Sequence, residues 1–150
     1  MITSEFFRAL NAHLAVPADE RVSLICLGIG SITNSRSTRH QLALVDCFLK
    51  THQNVDFEII YDPAFTPEDV ELVTSRYPTV KVNPIEEWGG TGSAILYLPH
   101  VPLWLLDHCL NMRKGALEHT LVISNNLHHI KETQSKSGKF TSPTRLSEWP

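Results

Sequence analysis

Apolar positions along the chain alternate between a helical spacing and short unbroken runs. Phe6, Phe7, Leu10 and Leu14 recur at helical spacing after Thr3 and Ser4, either of which suits a cap, so residues 3–14 read as an amphipathic helix packed on a sheet. A polar turn over 17–21 leads into VSLICL (22–27), the pattern of a strand buried on both faces. After the loop GIGSITNS, Leu42, Val45 and Leu49 form one stripe with Leu44 and Phe48 beside it, which predicts a helix over 36–51. A second strand over 57–61 stops at Asp62 and Pro63. Thr66, Pro67 and Asp69 then supply an N-cap, a proline at the first helical position and an acid in the first turn of a helix reaching about residue 76.

A short third strand is predicted over 80–83, followed by the loop PIEEWGGTGS (84–93) and a fourth strand over 94–98 closed by Pro99. Pro102 opens an apolar helix to about residue 112, and TLVIS (120–124) is a fifth strand ended by Asn125 and Asn126. Repeated strand-then-helix units argue for an α/β fold: a Rossmann-like, mostly parallel sheet of about five strands with helices on both faces. Residues 131–144 turn polar and read as a flexible segment with solvated lysines, followed by a final strand over 145–149. The 150 residues read as a single domain.

Charge narrows the function classes. A net charge of −3 supplies no broad positive field for a phosphate backbone, so dedicated nucleic-acid binding is not expected. The longest apolar stretch, 94–106, is broken by Pro99, His100 and Pro102 and falls short of the ~20 residues a spanning helix needs, so no membrane span is expected. Glu5 and the amphipathic spacing around it do not fit a secretory signal. Cys26, Cys47 and Cys109 all lie in apolar segments, which suits reduced, buried thiols better than a disulfide framework.

In an open parallel sheet, ligands bind beyond the carboxyl ends of the strands, at the point where strand order reverses. That rule collects Gly28, Gly30 and Ser31 after the first strand, Asp62 after the second, Asn83 and Glu86 after the third, His100 after the fourth, and Asn125 and Asn126 after the fifth. Gly28 and Gly30 permit a tight turn, and Ser31, Asn34, Ser35 and Ser37 offer hydrogen bonds to a phosphate or carboxylate. The dinucleotide fingerprint is incomplete, because Thr33 stands where its third glycine belongs. A structural turn and a small-molecule anion or nucleoside site therefore both stay open. Asp62 likewise reads either as a strand terminator accepting amides of the next turn or as a ribose ligand. His100 carries an imidazole, a side chain suited to acid–base work, although no nucleophile with an orienting third group accompanies it.

Eight histidines raise a metal or haem reading through His100, His108, His128 and His129, but none of their spacings is diagnostic and no Cys-Pro dipeptide occurs. No metal site is expected. Ser31 lies outside a G-x-S-x-G elbow and no lysine-containing phosphate loop is present. Trp88 reads as a packed loop anchor or a stacking residue.

CLGIGSI (26–32) with Ser35, Ser37 and QLAL (41–44), YDPAFTPED (61–69), YLPHVPLWLLDHCLN (97–111) and VISNNL (122–127) together resemble the sensitivity to red light reduced family. The resemblance implies a compact α/β domain of cytoplasmic and nuclear proteins linked to circadian regulation, light signalling and haem synthesis, acting with regulatory protein partners. It places the family's glycine-turn, acid–proline and proline–histidine positions on Gly28 and Gly30, Asp62 and Pro63, and Pro99 and His100. The family often has a cysteine where this chain has Val101, and a glycine where it has Asn125 preceded by Ser124. The combined expectation is a pocket lined by Gly28, Gly30, Ser31, Asp62, His100 and Asn125. S-adenosylmethionine or another nucleoside is its leading ligand, ahead of haem, and a protein-interaction module without ligand chemistry is the alternative.

Overall fold

The computed structural model describes residues 5–84 and 90–125. In chain order its elements are α1 (Glu5–His13), β1 (Val22–Leu27), α2 (Arg36–Thr51), β2 (Val55–Tyr61), α3 (Pro67–Arg76), β3 (Lys81–Val82), β4 (Ala94–Leu98), α4 (Leu103–Met112), a 3₁₀ segment (Lys114–His119) and β5 (Thr120–Ser124). The five strands form one sheet in the order β3-β2-β1-β4-β5, and every pairing is parallel. Its first strand is therefore central, flanked by β2 and β4, and strand order reverses between β1 and β4.

Both faces are covered, as the unbroken apolar runs require. On one face, Leu24 and Cys26 of β1, Phe57 and Ile60 of β2 and Ile95 and Tyr97 of β4 pack with Phe7 of α1, Leu42, Val45 and Phe48 of α2 and Val73 of α3. On the other, Ile25, Leu27, Ile59, Leu96 and Leu98 pack against Leu105, Leu106 and Cys109 of α4. Among the described residues no helix is long and apolar enough to cross a membrane.

Helix starts follow the local chemistry. Ser35 caps α2 by accepting the Thr38 amide, and Thr66 and Asp69 form a reciprocal capping box on α3 with Pro67 in the first turn. Two strands differ from the expected spans. β2 begins at Val55 because Val55 and Asp56 pair with Val22 and Ser23 of β1, and Asp56 also holds Arg21, so the ladder overrides the poor strand propensity of an aspartate. β3 is limited to Lys81 and Val82 because Asn83, at φ 49°, turns the chain out of the sheet. Cys47, expected to be buried, is half-buried, whereas Cys26 and Cys109 are buried; all three are free thiols. The expected cap at Thr3 and Ser4, the polar segment 131–144 and the strand over 145–149 lie outside the described residues.

Candidate functional site

The strand reversal brings the loops after β1 and β4 into contact. A Cβ on Gly28 would lie 2.8 Å from Val101 Cγ1 and 3.5 Å from the His100 carbonyl, and Gly28 itself has φ +74°. Glycine is demanded twice over there, by the left-handed backbone and by the close approach of the second loop. Gly30, at φ +85°, meets the same demand against α2: its Cβ would stand 2.9 Å from the Thr38 hydroxyl, which is buried and donates to the Ile29 carbonyl across 2.6 Å.

Asp62 holds this turn from below. It is 5% exposed; its Oδ2 accepts the Gly30 amide at 2.6 Å and its Oδ1 the Ala64 amide at 2.8 Å. The second bond is the strand-terminating role; the first reaches across to the β1 loop. Asn83 completes the corner by accepting the Asp62 amide through its side chain at 3.0 Å. Burial, with the Asp62 charge added, pushes the Cys26 thiol well above its ordinary range, so it stays protonated and inert.

Asp69 ties the far end of the same loop to α3. Its side chain accepts the amides of Thr33 at 2.8 Å and Thr66 at 2.9 Å. Burial opposes its charge, but hydrogen bonds from Thr66, Ser31 and Thr33 outweigh that and hold its pKa at about 2. Ser31 turns inward: its hydroxyl contacts Thr33 Oγ1 and accepts the Asn34 amide and side chain.

Two cavities open at the strand ends. One, about 350 Å³, is lined by Gly28, Gly30, Asp62 and His100 with Ser35, Ser37 and Thr38 at the start of α2. The second, about 650 Å³ and mostly apolar, lies between α1, α2 and the ends of β4 and β5, with Leu10, Leu44, Tyr97 and Ile123 in its wall. Ser37 and His100 line both, and Asn125 lines the second. Five of the six candidate residues thus border this pair of cavities; Ser31 borders neither. Glu86, Trp88, Asn126, His128 and His129 lie outside the described residues.

His100 stands at the junction. Its Nε2 lies 2.7 Å from Gln41 Nε2 and its Nδ1 3.3 Å from Asn125 Nδ2. A neutral imidazole offers one donor and one acceptor, so one of the two carboxamides presents its oxygen instead. Gln41 Oε1 is buried with no partner among the described residues; with the amide turned over, the NH₂ group takes that place. Gln41 and Thr38 were not singled out from sequence. A signal existed for Gln41: Ser37, Gln41 and Leu44 follow the i, i+4, i+7 spacing of one helix stripe, and all three line the larger cavity. Among the described residues no group of three or more His, Cys, Asp or Glu side chains is arranged to hold a metal ion.

Fold and cleft together define a doubly wound α/β domain with its cavities at the strand reversal, the place where this architecture binds ligands. The chain belongs to the SRR1 domain family, whose model matches residues 7–148. It is 29% identical over 117 residues to an SRR1-like protein of Mus musculus, covering 74% of this chain and 47% of that protein. It is 26% identical over 140 residues to an SRR1-like protein of Drosophila melanogaster, covering 89% and 50% respectively. The chain thus spans about half the length of these curated relatives. No solved structure matches it.

Proposed function

We infer that this SRR1 domain is a ligand-responsive regulatory module that takes a nucleoside-type molecule, S-adenosylmethionine being the leading example, in the cleft at the strand reversal. The observation that carries this reading is the junction at His100: a cavity under the glycine turn that holds Asp62, Ser35, Ser37 and Thr38 adjoins a larger apolar one, both of a size suited to a small organic ligand, about 300–1,000 Å³. Glycine turn, buried carboxylate and helix start meet there as they do around adenosyl groups in doubly wound folds. The family resemblance supports a place in circadian and haem-synthesis control, in cytoplasm and nucleus, exerted through protein partners. Haem as the ligand has less support, since each ring nitrogen of His100 already faces a carboxamide.

The test is calorimetric titration of the full chain with S-adenosylmethionine, S-adenosylhomocysteine and adenosine. Ser37 is exposed and lines both cavities, so Ser37→Trp fills the junction without touching the core. Saturable binding that Ser37→Trp weakens at least tenfold, with an unchanged circular dichroism spectrum, is the expected result. Affinity unaltered by the substitution overturns the site.

A further inference from the structure

We propose that the cleft selects nucleosides without phosphate, neutral or cationic, and that one such ligand spans both cavities with its sugar hydroxyls toward Asp62 and its base in the apolar half. This deepens, and rests on, the reading of the strand-reversal cleft as a nucleoside site.

Three observations converge. A glycine turn ahead of a helix ordinarily offers free amides to a phosphate. Here the chain's own carboxylates have taken two of them: the Gly30 amide goes to Asp62 and the Thr33 amide to Asp69. Second, the described linings of the two cavities contain one carboxylate, Asp62, two histidines and neither lysine nor arginine. A phosphate carries about −1.5 to −2 charge at pH 7, and beside a buried carboxylate with no facing cation it would be repelled. Hydroxyl or amino donors, or a positive centre, are attracted instead; each Asp62 oxygen retains a lone pair beyond the amide it accepts.

Third, the polar surface does not stop at the smaller cavity. Gln41, in the wall of the apolar one, keeps one end of its carboxamide buried without a partner among the described residues. That end is closed to the cavity, so a base meets the amide at its other end, beside His100, where its donor and acceptor edges find the carboxamide and a ring nitrogen together. Ser37 and His100, shared by the two linings, make the passage continuous.

The experiment compares adenosine, S-adenosylmethionine and adenosine monophosphate on the full chain by calorimetry at one ionic strength, with Ser37→Arg and Leu44→Trp as variants. Adenosine and S-adenosylmethionine should bind at least tenfold more tightly than the monophosphate. Ser37→Arg, which adds a cation at the shared rim, should raise the monophosphate-to-adenosine affinity ratio about tenfold, and Leu44→Trp should weaken all three. Monophosphate binding as tight as adenosine in the unaltered chain overturns the charge selection, and affinity indifferent to Leu44→Trp overturns the two-cavity span; in both cases the nucleoside site itself stands. Binding of none of the three removes that underlying reading, and the selectivity with it.

Discussion

Gly30 donates its amide to Asp62 across 2.6 Å, joining two loops that lie 32 positions apart in the chain. Gly30 makes this bond from a left-handed backbone, at φ +85°. A left-handed backbone costs a non-glycine residue roughly 1–2 kcal/mol, and an added Cβ also presses on the buried Thr38 hydroxyl. Gly30→Ala should lower stability by about 2 kcal/mol in urea unfolding.

Gly28→Ala should cost more, about 3 kcal/mol, because its Cβ meets the stiff, buried Val101. Pairing it with Val101→Ala removes the clash while leaving the strained φ. The double variant should therefore be more stable than the sum of the singles by about 1 kcal/mol. Strict additivity would mean the two loops do not touch.

Asp69 predicts an acid limb. Its pKa of about 2 lies below the roughly 3.9 of an unfolded aspartate, so its contribution is full above pH 4 and fades as pH falls toward 2. The difference amounts to about 2 kcal/mol. Asp69→Asn should be less stable by that amount at pH 7, and the gap from the unaltered chain should narrow between pH 4 and pH 2. A gap constant with pH would exclude the carboxylate as its source.

Thiol chemistry should single out Cys47. Burial pushes Cys26 far up and Cys109 to about 12, which leaves almost no thiolate at pH 8, whereas Cys47 is half-buried on the wall of the larger cavity. An aromatic disulfide reagent should label one thiol of the native chain rapidly, and Cys47→Ser should abolish that phase. Rapid labelling of two or three thiols would contradict the packing of β1 or α4.

Arg113, 3% exposed, joins the starts of β4 and β5: its Nε donates to Thr120 Oγ1 at 2.8 Å and its Nη2 to the Gly92 carbonyl. Burial lowers its pKa. Arg113→Met should cost about 2 kcal/mol by removing both hydrogen bonds that the charged guanidinium donates. Arg113→Lys should not restore it, since a single ammonium lacks the fork that reaches both partners. Full rescue by lysine would reduce the residue's role to its charge.

Periodicity made the elements legible. The run VSLICL and the Leu42, Val45 and Leu49 stripe each carry their own spacing, and Pro67 and Pro102 mark helix starts that the structure shares. What periodicity does not encode is pairing at long range. Asp62 and Asp69 were visible as turn and cap residues, but their second oxygens reach 32 and 36 positions back into the glycine loop. Ser31 looked available because a hydroxyl after a glycine turn usually is; here Asn34 and Thr33 claim it. The 3₁₀ segment Lys114–His119 escaped notice because it has no apolar period and contains Gly115.

The central place of β1 also governs how the chain assembles during synthesis. Ser23 must wait for Ala94 before its second edge is covered, so an almost wholly apolar ribbon emerges from the ribosome long before its outer neighbour exists. Such distant pairing slows folding and leaves an open edge prone to association. Nascent chains halted before residue 94 should therefore recruit chaperones strongly, and those that extend past β5 should release them.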